Sequence, residues 1–198
     1  MDEPKSLPSE QRWRSNTYAL LARLLSAPPD ADLLHRLETS AAPLAVNPAP
    51  LPLPLAWHDL ARAAGKTTVQ AAADEFRVLF IGMTRGELLP YASYYQTGFL
   101  MEKPLVVLRA DLRVLGLQRQ ERTSEPEDHI AALCEVMSLL ISEQQPRQAE
   151  FFQRHIAPWQ KRFFADLRQS AAAGFYRSVA LLGDAFMTIE SQSLSLPE

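Results

Sequence analysis

The chain has one cysteine, Cys134, and only seven glycines among 198 residues. A lone cysteine forms no internal disulfide and builds no cysteine-rich metal site. Inside an apolar run, its expected role is that of a small buried side chain. So few glycines suit helices better than a turn-rich β fold. Long hydrophobic runs are also missing: no uninterrupted apolar stretch approaches the ~20 residues of a membrane-spanning helix. The start, Met1-Asp2-Glu3-Pro4-Lys5-Ser6, carries acids where a secretion signal has a basic start and then an apolar segment. The expected location is therefore the cytoplasm, with no integral membrane segment. Positive charge is not in excess, since 20 Lys and Arg are interspersed with 23 Asp and Glu for a net charge of −3. Such a surface has no basic field to hold nucleic acid or an anionic membrane.

What is present describes one soluble domain, with 47% hydrophobic and 22% charged residues. Trp13, Leu20, Leu21, Leu24 and Leu25 recur at helical spacing, and Pro28-Pro29 ends that helix. Asp30 caps a second, short helix carrying Leu33, Leu34 and Leu37. Residues 42–54 hold five prolines and read as an extended surface connector. Residues 55–81 read as two helices broken near Gly65, the second carrying Phe76, Leu79 and Phe80. Residues 82–98 form a long loop with at most one short turn, and long loops in compact domains tend to be functional. Helices are then predicted over 104–115, 125–144, 147–156, 158–172 and 175–189, with a polar tail over 191–198. The prediction is an all-α, single-domain helical bundle of about eight to ten helices.

Three features imitate chemical sites. Gly65-Lys66-Thr67-Thr68 resembles the end of a phosphate-binding loop, but Leu60 stands where the full pattern needs a glycine, and the preceding segment is helical. It reads as a helix break followed by a threonine-capped restart. Glu125/His129 and Glu150/His155 lack the Glu-x-x-His spacing of di-metal helical bundles. Ser93 and Cys134 have no identifiable neighbouring base, so no catalytic triad assembles. The expectation is a protein without catalytic residues or bound metal. The rival reading is a helical metal-binding protein or enzyme using Glu125, Asp128 and His129 as ligands or acid/base groups.

The densest stretch is Ser124-Glu125-Pro126-Glu127-Asp128-His129-Ile130, with three carboxylates, a proline and an imidazole at the predicted start of a long apolar helix. Ser124 with Glu127 fits a capping box, Pro126 suits an early helical position, and the acids complement the positive end of the helix dipole. Capping alone explains everything but His129, which can titrate near neutral pH. Downstream, His155-Ile156-Ala157-Pro158-Trp159 reads as structural support, with Pro158 opening a helix and Trp159 packing on the core.

Glu75-Phe76-Arg77-Val78-Leu79-Phe80-Ile81-Gly82, Pro90-Tyr91-Ala92-Ser93-Tyr94-Tyr95-Gln96-Thr97-Gly98, the acidic stretch above, and Phe152-Gln153-Arg154-His155-Ile156-Ala157-Pro158-Trp159 with Arg162-Phe163 follow one another in an order that resembles the TorD/DmsD/NarJ family of molybdoenzyme chaperones. The resemblance runs from about Trp13 to Phe186. It implies an all-helical, non-enzymatic cytoplasmic protein. Its partner would be the catalytic subunit of a molybdenum-cofactor oxidoreductase, held through its twin-arginine leader, its apoprotein or both. By the same resemblance, Phe76, Leu79, Phe80, Pro90, Tyr91, Glu125, Pro126, Asp128 and His129 line the leader-binding groove. Carboxylates would meet the guanidinium groups, and the apolar side chains would meet the apolar stretch behind them. The resemblance alone also implies weak guanine-nucleotide binding and either a monomer or a swapped dimer. Two positions depart from the family pattern: Met83-Thr84-Arg85-Gly86 replaces a Gly-Pro-rich turn, and Leu112 stands where an aromatic is frequent.

Overall fold

The computed structural model describes residues 7–40, 52–82, 85–118 and 125–195. Among these, ten α-helices and one π-helical turn carry the fold, and no strand longer than an isolated bridge occurs. The helices are α1 (Ser9–Ser26), α2 (Ala31–Thr39), α3 (Pro52–Ala64), α4 (Val69–Phe76), α5 (Ala92–Thr97), α6 (Lys103–Val114), α7 (Ile130–Ser142), α8 (Gln148–His155), α9 (Gln160–Gln169) and α10 (Phe175–Ser193). The π-helical turn, Arg77–Ile81, continues α4 directly.

The apolar spacing of α1 and α7 explains why they pair along their length. Tyr18, Leu21 and Leu25 from α1 and Leu133, Met137 and Ile141 from α7 are all fully buried. α10 packs on α9 and α3, and α2 on α3. At the α9–α10 crossing, a methyl group on Gly183 would collide with the Phe164 ring, so the helices approach as closely as a missing side chain allows. Cys134 is fully buried in α7, and burial pushes its thiol pKa up, which makes it inert packing.

Two polar clamps hold the bundle. Arg14 of α1 donates from Nε and Nη2 to the two Glu190 oxygens of α10, both at 2.7 Å, and the Tyr18 hydroxyl donates to the same carboxylate at 3.0 Å. Burial alone would lower the Arg14 pKa, but the Glu190 hydrogen bonds and charge outweigh it and raise it. The Tyr18 hydroxyl, buried beside the same carboxylate, is pushed well above its ordinary value. The second clamp is Glu75 of α4. Its carboxylate accepts from the backbone N–H groups of Gly174, Phe175 and Tyr176 at 2.8, 2.9 and 2.6 Å and so caps α10 from a distant element. That contact ties the end of α4, which carries Phe76, to the start of α10, where Tyr176 packs on the Phe76 ring.

Several local predictions hold. Asp30 accepts from the Leu33 N–H at 2.8 Å and caps α2, and Thr68 accepts from the Ala71 N–H at 3.1 Å and caps α4 just after the Gly65 break. Trp159 is buried. Other boundaries move. Residues 52–54 of the predicted connector form the first turn of α3, because proline is tolerated where helix N–H groups lack partners anyway; its earlier part lies outside the described residues. The helix predicted from residue 125 begins at Ile130, with His129 as its cap, so Glu125, Pro126, Glu127 and Asp128 precede it. Glu127, expected in a capping box with Ser124, binds Arg109 of α6. The Ser124 half of that box lies outside the described residues. Pro158 sits in the turn between α8 and α9 rather than opening a helix, and α10 extends to Ser193 into the predicted tail. The loop over 82–98 contains α5, whose apolar residues are too few to show a period.

Candidate functional site

Pro90-Tyr91 and the segment before α7 are joined by a single antiparallel bridge between Tyr91 and His129. The Ala92 N–H donates to the Asp128 carbonyl at 2.9 Å, and the Ile130 N–H donates to the Pro90 carbonyl at 2.8 Å. Asp128 is 1% exposed, and its Oδ2 accepts from the Ser93 N–H at 2.8 Å and the Ser93 hydroxyl at 2.5 Å. The acidic stretch therefore clamps the first turn of α5.

Above this clamp the Tyr91 and His129 rings meet edge to face at 5.1 Å, and the Tyr91 hydroxyl donates to the Glu125 carboxylate. Burial, then that hydrogen bond, pushes the Tyr91 pKa upward. His129 Nδ1 accepts from the Ala131 N–H at 3.1 Å, which requires an unprotonated nitrogen there. Burial pushes the His129 pKa down to about 4 against the opposing pull of Glu125 and Asp128, so the ring is neutral at neutral pH.

These groups form one end of a groove of about 590 Å³. One wall is Phe76 and Phe80, whose rings pack at 5.0 Å and lean on Tyr176 of α10. The π-helical turn carries Phe80 and Ile81 to the groove edge, a placement consistent with the tendency of such turns to occur at functional sites. The opposite wall is α7, with Ala131, Ala132, Glu135, Val136 and Leu139; Leu25 of α1 and Leu112 of α6 complete it. The charged lining residues are Glu125, Glu127 and Glu135, with no lysine or arginine among the described ones. Glu127 receives Arg109 at both oxygens, the shortest bond being 2.8 Å. Glu135 is solvent-accessible, yet the groove walls remove enough water to raise its carboxyl pKa above the ordinary value.

A family model described as the nitrate reductase delta subunit matches residues 47–165, more than half of the chain. The chain belongs to that family, which includes TorD and NarJ. Within the TorD/NarJ family, it resembles the chaperone protein TorD of Vibrio parahaemolyticus, 31% identical over 140 residues, or 64% of this chain and 65% of that one. TorD of Vibrio cholerae is 32% identical over 139 residues, covering 64% and 63%. The matched region thus spans just under two thirds of these relatives. A crystal structure described as a redox enzyme maturation protein of Archaeoglobus fulgidus shares the fold, with a TM-score of 0.60, 18% identity and coverage of 94% of this chain and 99% of that one.

In this TorD/NarJ-family chain, seven of the nine residues expected at the groove line it: Phe76, Phe80, Pro90, Tyr91, Glu125, Pro126 and His129. Leu79 and Asp128 do not. Leu79 is fully buried, on the same helical face as Ala72 and Phe76, and Asp128 is buried against Ser93. Leu112 lies in the groove wall, so a leucine in place of the family's frequent aromatic leaves more room there. Met83 and Thr84 of the divergent turn lie outside the described residues. His155 sits away from the groove and bonds Asp111 of α6 at 2.8 Å, with burial pushing its pKa down against that partner. Among the described residues, no group of three or more His, Cys, Asp or Glu side chains is placed to hold a metal ion. No helix there is long and apolar enough to cross a membrane. Sequence reasoning missed Glu135; the signal was the only charge in the thirteen residues of α7.

Proposed function

We propose that this protein is a cytoplasmic chaperone for the catalytic subunit of a molybdenum-cofactor oxidoreductase, and that it holds the subunit's twin-arginine leader in the groove between Phe80 and α7. The observation that carries this reading is the character of the groove: apolar walls, three carboxylates and no lysine or arginine among its described lining residues. A leader offers the complement, two guanidinium groups followed by an apolar stretch. Phe76 and Phe80 pack the apolar part, and Tyr91 and Glu125 form the polar end. His129, being neutral, adds no positive charge of its own at that end to repel the arginines. The work is protection and release: the leader stays covered until the cofactor is inserted, and no bond is made or broken. Titration with a twin-arginine leader peptide and its twin-lysine counterpart tests this. The arginine peptide binds more tightly because ammonium lacks the bidentate fork. Equal weak binding of both refutes the reading.

A further inference from the structure

α7 carries one charge in thirteen residues, and it lines the groove while staying open to solvent. Ala131, Ala132, Glu135, Val136 and Leu139 fall at offsets that share one helical face, and the other four are apolar. A carboxylate on such a face loses hydration, and here no hydrogen bond or ion pair compensates: among the described residues Glu135 has neither. The other two groove carboxylates are engaged within the chain, Glu125 by Tyr91 and Glu127 by Arg109. Ala131 and Ala132 leave space beside Glu135 on the turn that leads to it.

We propose that Glu135 is the specificity-determining residue of the groove, pairing with one positively charged side chain of an extended, apolar peptide segment bound there. This rests on the leader-binding reading and goes beyond it by assigning the charge selection to a residue inside the groove, not to the acidic stretch at its end. Glu135 stands six positions after His129, about 9 Å along the helix axis at 1.5 Å per residue. The segment therefore extends along α7, with apolar side chains against Phe76, Phe80 and Leu139 on either side of the charge.

The test is a titration of wild type, Glu135→Gln and Glu135→Arg with a twin-arginine leader peptide and with two versions in which one arginine is replaced by citrulline, its uncharged isostere. Phe80→Ala serves as the control for groove use. Glu135→Gln weakens the parent peptide about two- to fivefold, the scale of a pair partly open to water, and Glu135→Arg weakens it further. One citrulline peptide loses a similar factor against wild type and loses nothing more against Glu135→Gln. If Phe80→Ala loses affinity while Glu135→Gln binds like wild type, the groove holds the leader and Glu135 does not select it. If both citrulline peptides show equal losses against wild type and Glu135→Gln, the arginines are read elsewhere and the assignment fails. If wild type binds none of the peptides, the leader-binding reading falls, and this inference falls with it.

Discussion

Removing the Asp128 carboxylate takes two hydrogen bonds from a buried place. Its Oδ2 receives the Ser93 N–H at 2.8 Å and the Ser93 hydroxyl at 2.5 Å, and Ser93 is fully buried. Hydrogen bonds to a charged group contribute about 1.5–3 kcal/mol each, and a buried donor left unpaired adds a penalty of similar size. The two bonds share one oxygen, so their losses overlap, and Asp128→Ala costs about 3–5 kcal/mol. A domain of this length loses about 2–4 °C in Tm per kcal/mol, which gives a fall of about 6–20 °C. Asp128→Asn keeps one acceptor oxygen, removes the charge and falls between. Thermal and urea melts of Asp128→Ala, Ser93→Ala and the double variant form a cycle whose coupling energy should exceed about 1 kcal/mol. A Tm within 2 °C of wild type for Asp128→Ala, or strictly additive losses, would refute the pairing. An exposed acid that only complements a helix dipole contributes about 0.3–1 kcal/mol, so the experiment separates clamp from surface charge.

His129 gives a pH signature. Its folded pKa, about 4, lies below the ordinary 6.5, so the neutral ring stabilises the fold fully above pH 6.5, and this contribution disappears as pH falls through about 4; the linkage amounts to about 3 kcal/mol, and urea midpoints of His129→Gln should show a flatter pH profile over that window. Glu190→Gln leaves Arg14 charged and buried without its carboxylate, at a cost of about 3–5 kcal/mol; a melt shifted by less than about 1 kcal/mol would count against the clamp. Phe80→Ala truncates a half-buried ring, so its stability loss falls below the about 3–5 kcal/mol of a fully buried phenylalanine while leader affinity drops, and a severe Tm loss with unchanged affinity in the surviving fraction would place Phe80 in the core.

The helical class was readable because α1, α7 and α10 carry sustained three- and four-residue apolar spacing, which only a buried helical face explains. The caps at Asp30 and Thr68 were readable because they are local chemistry. Non-local satisfaction of polar groups was not. Asp128 looks like a helix-start acid in sequence, and only the fold brings Ser93 to it. Glu75 likewise looks like an ordinary helix residue until α10 arrives with three unpaired N–H groups. Leu79 shares the face of Ala72 and Phe76 in sequence, but only the packing of the fold shows that it is buried while Phe76 and Phe80 reach the groove. Glu135 was visible as a lone charge in an apolar run, but whether it faced a groove or solvent required knowing what α7 packs against.

The groove walls come from the end of α1, the π-helical turn, the Pro90-Tyr91 segment, the end of α6 and the face of α7, which meet only when the whole chain is folded. Occupancy and folding are therefore one linked equilibrium. A segment held at a hundred times its Kd adds about 2.7 kcal/mol to the chaperone's own stability. The reciprocal also holds: loosening along α1 or α7 removes groove walls, so it weakens whatever the groove binds by the same free energy.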